Sequence, residues 1–267
     1  MYLRGQIVMG ILAIQYQTVP DTPILLAVNR EESPERPSQA PRIQSGRPRV
    51  VCGIDKKAGG TWAGVNQHGM FVTVLNAAKR DVPAEPRSRG LLCKELLNCR
   101  TAAEAVDKGA QELSERPYAG CNILCVDRTS GGIIYGGDYV EVEPLGPGLH
   151  ILSENPLDDR SDARQEFVRR QMTLQRIDSA VTFFAVACKT FARRTDSNGK
   201  WGVIVKTPTR TTVSSILLSL AKKNQRSVMQ YAPGQPGENA YEDVSALLRQ
   251  VLSTDRASAK LQKEEEE

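Results

Sequence analysis

Apolar and polar positions along the chain alternate between two kinds of period. Residues 10–16 and 24–30 are near-continuous apolar runs, which predict two buried strands joined by the turn Pro20-Asp21-Thr22-Pro23. Residues 33–49 carry Pro34, Pro37, Pro41 and Pro48 among Arg and Ser, a composition that predicts a surface loop. Short apolar segments predict strands over 50–54, 61–66 and 70–76, the last entered through Gly69. From Ser88 to Asn98 the spacing of Leu91, Leu92 and Leu96 is helical. Thr101 with Glu104 three residues on forms a capping-box signature for a second helix, which ends before Pro117. Strands follow over 121–127, 132–137 and 148–153, then helices over 160–176 and 178–192. Residues 211–220 are β-branched and alternating, a strand for which 226–232 is the expected partner. A final helix is expected over 239–252, capped near Asn239. Strands, helices, strands and helices in that order predict an α+β layered fold.

Composition narrows the function classes. The 267 residues include 35 Lys and Arg against 31 Asp and Glu, a net charge of +4. The charges are evenly spread, which argues for a solvated surface and no nucleic-acid partner. Six cysteines, at 52, 93, 99, 121, 125 and 188, show no metal-ligand spacing. They read as buried free thiols, which implies a reducing compartment and a cytoplasmic location. Cys121 and Cys125 fall on one face of a strand. No apolar run reaches membrane-spanning length, so no stable membrane insertion is expected. Residues 7–14 after Arg4 imitate a signal-peptide core, but no small-x-small site follows them. We divide the chain into an N-terminal extension or misassigned start over 1–9, one domain over 10–252, and a charged, disordered tail over 253–267. The oligomeric state is not written in the sequence.

Several segments carry a family resemblance. Residues 24–32 read Ile-Leu-Leu-Ala-Val-Asn-Arg-Glu-Glu and residues 59–66 read Gly-Gly-Thr-Trp-Ala-Gly-Val-Asn. Tyr118-Ala119-Gly120-Cys121-Asn122, Leu152-Ser153-Glu154-Asn155-Pro156-Leu157-Asp158 and Thr211-Thr212-Val213-Ser214-Ser215 add to them, with Arg89-Gly90 at a helix start and Tyr241-Glu242-Asp243 before the last helix. Together these resemble the Transport and Golgi organisation family, also called the NRDE family after its Asn-Arg-Asp-Glu motif. The resemblance covers roughly residues 10–250. It implies an N-terminal-nucleophile hydrolase fold, a four-layer αββα sandwich related to choloylglycine hydrolase and penicillin V acylase.

Enzymes of that fold attack an amide carbonyl with a terminal Cys whose own amine moves the proton. Here the corresponding position is Gly10, which has no attacking atom, so no catalytic residue is assigned. A second departure is Glu154, where the resemblance places an Asn that donates to the oxyanion. An ionised Glu only accepts hydrogen bonds, and losing such a donor costs a working enzyme about 2.7–4 kcal/mol. Arg30 is the strongest surviving polar element, readable as an anchor for an anionic group or as a buried ion pair with Glu31, Glu32 or Asp55. Trp62 either packs in the core or lines an apolar pocket beneath Arg30. Asn29, Glu31, Thr61, Asn66, Asn76 and Asn122 complete the candidate ligand-binding set, the asparagines also serving as turn caps. Arg89 is expected to hold its helix to the sheet.

The resulting expectation is a non-catalytic protein that binds or carries a small amphipathic anion, either haem-like or acyl- and lipid-like. No cofactor is required and no metal site is expected. Haem remains a possible ligand on family grounds, although His68 and Met70 read as a hairpin turn and Cys-x-x-Cys-His is missing. The rival reading is an amidase or acyltransferase with a displaced nucleophile such as Ser45, Cys52, Thr61 or Ser214. A third is a structural, partner-binding protein with a vestigial pocket.

Overall fold

The computed structural model describes residues 10–195 and 202–253. The expected extension over 1–9 and the tail from residue 254 lie outside the described residues. Among the described residues, thirteen strands form two antiparallel sheets. The first holds β1 (Ile11–Tyr16), β2 (Ile24–Glu32), β10 (Gly148–Leu152), β11 (Thr211–Leu220), β12 (Val228–Ala232) and β13 (Glu242–Asp243), in the order β10-β1-β2-β11-β12-β13. The second runs in sequence order through β3 (Ser38–Gln44), β4 (Val50–Asp55), β5 (Ala63–Asn66), β6 (Phe71–Asn76), β7 (Cys121–Val126), β8 (Gly131–Gly136) and β9 (Val140–Pro144).

Side-chain alternation sorts the core into three layers of contact. Leu12, Ile14, Ile24, Leu26 and Val28 point at the opposite sheet and meet Val65, Phe71 and Leu124 there. Ile11, Ala13, Leu25 and Ala27 point the other way, onto Phe183, Ala187 and Phe191 of the helical layer. That layer is α3 (Ala163–Met172) and α4 (Ala180–Phe191). The outer face of the second sheet packs through Val72, Ile123 and Ile134 on α1 (Arg89–Leu96) and α2 (Ala102–Glu115). Helix, sheet, sheet, helix is the four-layer αββα sandwich. A strand with two apolar faces needs cover on both, and this arrangement supplies it. A helix over residues 245–253, α5, puts Leu248, Val251 and Leu252 into the inter-sheet core.

The helix starts follow their caps. Thr101 accepts from the Glu104 amide, and Asp162 from the amides of Arg164 and Gln165. Four expectations need correction. The Pro-rich segment over 33–49 contains β3, an edge strand whose pairing with β4 slips between Gln39 and Arg42, around Pro41. An edge strand needs amides on one side only, so Pro is tolerated there. The expected helix over 160–176 is shorter at both ends, bounded by the Asp162 cap and by Thr173. The last helix begins at residue 245, because Glu242 and Asp243 pair with Tyr231 and Gln230 as β13. Asp243, not Asn239, accepts from the Ser245 amide. Finally, Cys188 is exposed, whereas the other five free cysteines are buried. Among the described residues, no helix is long and apolar enough to cross a membrane.

One close approach fixes where α1 begins. The Thr61 amide donates to Gly90 O at 2.9 Å, and a Cβ on Gly60 would come within 2.3 Å of the Gly90 carbonyl carbon. Gly60→Ala therefore forces α1 away from the lead-in to β5. We expect a loss of about 1–3 kcal/mol of unfolding free energy in urea titration; an unchanged midpoint would show that the approach is not limiting.

Candidate functional site

A cavity of about 290 Å³ opens where the ends of β2 and β6 meet the loop before β5 and the start of α1. Its polar wall holds Arg30, Arg36, Arg87 and Arg89 with Glu32 and Asp55, and its apolar wall holds Val28, Trp62, Val74 and Leu75. Gly10 lies at the same place.

Arg30 is the centre of the site. Even-numbered residues of β2 face the opposite sheet, so its side chain enters the sandwich and is only 9% exposed. The guanidinium carbon sits 4.1 Å above the Trp62 ring, a cation–π contact, and Nη1 donates to Ser38 Oγ at 3.3 Å. Among the described residues no carboxylate lies within ion-pair distance of it. The expected alternative, a buried ion pair with Glu31, Glu32 or Asp55, is not what the side chain makes. Asp55 instead takes Arg36 at 2.6 Å, and Glu32 lies between Arg36 at 3.8 Å and Arg210 at 3.7 Å. Burial, the largest influence on Arg30, lowers its pKa, with Glu32 and Asp55 opposing from a distance.

Trp62 belongs to the core and also borders the cavity. It is 8% exposed within the inter-sheet core and its ring also floors the guanidinium. Gly53 makes room for it, since a Cβ there would lie 2.3 Å from the ring. Thr61 lines the cavity, but its hydroxyl is occupied by Ala63 O at 3.0 Å.

The other sequence candidates divide by face. Asn29 and Glu31 are the odd residues of β2, and their side chains turn to the helical layer. Asn29 Nδ2 donates to Phe191 O at 3.0 Å, and Glu31 meets Arg164 of α3 at 2.6 Å. Complete burial drives the Glu31 carboxyl up to about 8, against the pull of Arg164. Glu154 is 3.5 Å from the same Arg164 and is not among the residues lining the cavity. Asn66 is a turn clamp: Nδ2 donates to Leu97 O and Cys99 O while Oδ1 accepts from the His68 and Met70 amides. Asn122 bridges the sheets by donating to Ser153 O at 2.9 Å and Asn155 O at 3.2 Å. Asn76 lines the cavity.

Gly10 offers no attacking atom, and a Cβ there would fall 2.8 Å from Leu75 Cδ2 and 2.9 Å from Asn29 O. Of the displaced-nucleophile candidates, Ser45 is exposed and Cys52 packs in the helix-facing core. Burial pushes the Cys52 thiol up. Ser214 pairs with Arg30 across β2 and β11, and its Oγ makes no well-formed hydrogen bond, with the Tyr231 phenol close by. Among the described residues no His, Lys or carboxylate hydrogen-bonds it as a base.

Among the described residues no His, Cys, Met or Tyr lines the cavity, so it offers haem no axial ligand. Among the same residues there is no group of three or more metal-binding side chains. Three lining arginines, Arg36, Arg87 and Arg89, were not read as site residues in the sequence. The Arg-Gly at a helix start was the available signal for Arg89, whose Nη1 does hold α1 to Gly120 O at 2.7 Å as expected.

Comparison with known proteins agrees with the fold. A family profile described as Transport and Golgi organisation 2 matches residues 9–227. The chain belongs to that family. Over 138 residues it is 31% identical to the mouse Transport and Golgi organization 2 homolog, covering 49% of this chain and 50% of that protein. The human Transport and Golgi organization protein 2 homolog is 28% identical over 138 residues, with the same coverage. The chain thus matches about half the length of these curated relatives. Among solved structures, the Caenorhabditis elegans ortholog of N-acylethanolamine-hydrolyzing acid amidase superposes with a TM-score of 0.52 at 12% identity, covering 78% of this chain and 92% of that one. A mutant of conjugated bile acid hydrolase from Clostridium perfringens gives 0.48 at 12% identity, over 90% and 93%. The fold is that of the N-terminal-nucleophile hydrolases.

Two expectations follow from this geometry. Asn66→Ala removes four hydrogen bonds made by a fully buried side chain and should cost about 2–3 kcal/mol by chemical denaturation. Asn76→Ala should shift stability by less than about 0.5 kcal/mol; equal effects would contradict the division of roles. Glu31 supplies a pH signature. Between 4.5 and 8 the folded chain keeps a proton that the unfolded chain has released, so stability falls as pH rises through that window and levels off above it. Glu31→Gln should flatten the profile, and an unaltered slope would assign it to another group.

Proposed function

We propose that this member of the Transport and Golgi organisation 2 family binds or carries a small amphipathic anion and performs no chemistry at the position of Gly10. The charged head meets Arg30, and the apolar body lies along Trp62, Val28, Val74 and Leu75. One observation carries the reading: Arg30 is a buried cation that lines a cavity, stacked on an aromatic ring, with no carboxylate among the described residues in ion-pair reach. A buried charge without a partner is costly, and a ligand carboxylate or similar group supplies the missing one. The volume of about 290 Å³ lies near the lower limit for small-molecule pockets, which suits a head group and the start of a chain better than an enclosed macrocycle. An acyl- or lipid-like anion is therefore favoured over haem, for which the lining also holds no axial ligand. Five buried, unbridged thiols support the cytoplasm as the place of action.

The alternative is an amidase or acyltransferase with Ser214 as a displaced nucleophile. Its one favourable observation is the Ser214 hydroxyl, placed opposite Arg30 with no well-formed hydrogen bond and the Tyr231 phenol beside it. The missing base weighs against it. Turnover of a chromogenic amide that vanishes in Ser214→Ala would establish this alternative.

For the binding reading, the test is thermal shift with fatty-acid, bile-acid-like and haem ligands on the wild-type chain and on Arg30→Met. A medium-chain fatty acid should raise the Tm of the wild type and leave Arg30→Met unmoved. A shift of equal size in both proteins, or none in either, would overturn the role given to Arg30.

A further inference from the structure

The four arginines of the cavity are not equivalent. Arg36 is neutralised by Asp55, and Arg87 by Glu112 at 2.9 Å, with the Tyr118 ring beneath it. Arg30 and Arg89 have no such partner: among the described residues neither has a carboxylate within ion-pair distance. Arg30 uses Nη1 on Ser38 and Arg89 uses Nη1 on Gly120 O, which leaves the remaining guanidinium nitrogens of both without a hydrogen-bond partner among the described residues. The two cations share two charged neighbours, Glu32 and Arg36. Each has its pKa lowered, chiefly by burial, and each is repelled by Arg36 and attracted by Glu32. Residues from β2 and from α1 thus bring two positive charges without an ion-pair partner to the lining of one cavity.

Backbone donors stand beside them. α1 has eight residues and starts at the cavity, where Ser88, Arg89 and Gly90 are all lining residues. Of its first four amides, those of Leu91 and Leu92 are satisfied by Ser88 Oγ and Ser88 O. The amides of Arg89 and Gly90 have no acceptor among the described residues. A helix start is a common anion site because such free amides and the helix dipole act together. Here the buried Arg30 guanidinium, on a different element, is the independent sign of an absent anion.

From this juxtaposition we infer that the head group is a dianion of the phosphate monoester class, held between Arg30, Arg89 and the first amides of α1. The inference rests on the binding reading above and narrows it. Two fixed positive charges match a double negative charge. Donors arriving from a strand and from a helix start match a group with three acceptor oxygens, whereas a carboxylate engages one guanidinium fork and leaves the second cation unpaired. Trp62 and the apolar wall then take the first part of the esterified chain.

Titration calorimetry with octyl phosphate and octanoate on the wild-type chain compares the two head groups on one tail. Octyl phosphate should bind about tenfold or more tightly than octanoate, and inorganic phosphate should compete with it. Arg89→Lys keeps the charge and a donor for Gly120 O but loses the fork, so it should lose most of that preference, octyl phosphate affinity falling by a larger factor than octanoate affinity. Equal or tighter binding of octanoate overturns the phosphate assignment and leaves the Arg30 reading intact. A phosphate preference that survives in Arg89→Lys overturns the role of Arg89. Binding of neither compound overturns both readings. The wild-type comparison stands even if the variant fails to fold.

Discussion

A guanidinium held inside a sandwich without a counter-charge is the constraint around which this molecule is arranged. Moving an ion out of water costs several kcal/mol after relaxation. The Trp62 face returns on the order of 2 kcal/mol when desolvated, and one neutral hydroxyl bond to Ser38 adds little. On the binding reading, a ligand anion supplies the remainder. Nearby carboxylates act on it only from a distance, because Asp55 pairs with Arg36 and Glu32 lies nearest Arg36 and Arg210. The charge is therefore buried by the fold and left open to whatever enters the cavity.

The layers make this possible. Strand alternation gives β2 two separate tasks. Its even residues, Val28 and Arg30, build the inter-sheet cavity, while its odd residues, Asn29 and Glu31, fasten the sheet to α4 and α3 through Phe191 O and Arg164. A motif that looks like one cluster of polar letters is thus split across the two faces of a sheet. The second sheet contributes the floor. Gly53 clears space for Trp62, and Gly60 lets the start of α1 come close enough to close the wall. Separately, Gly10 is crowded by Leu75 and the Asn29 carbonyl, each within 3 Å of where a Cβ would sit.

Much of the fold was legible because strands covered on both faces are continuous apolar runs, and because Thr101 announces its helix through capping chemistry. What escaped lies at edges. β3 and β9 are exposed edge strands with Pro and charge, whose composition is that of loops. Asn239 looked like a cap, but pairing of Glu242 and Asp243 with β12 held the chain extended for several more residues. In the site, Arg30 and Trp62 were readable from their motifs, and at Arg30 the strand alternation also fixes the face. Arg36 and Arg89 were not, because charge compensation between Arg36 and Asp55, or its lack at Arg89, depends on contacts across the fold that no local pattern encodes. Glu154 was expected at the oxyanion position, yet its charged neighbour is Arg164, away from the cavity lining.

The central claim is that Arg30 is the receptor for a ligand anion. The most direct test is the Arg30 Nε–Hε signal in a nitrogen–proton correlation spectrum, assigned by comparison with Arg30→Lys, while a short-chain amphipathic anion is added. The account predicts that this signal moves and saturates with the ligand, together with the Trp62 indole. An Arg30 signal that stays fixed while the ligand demonstrably binds would contradict it.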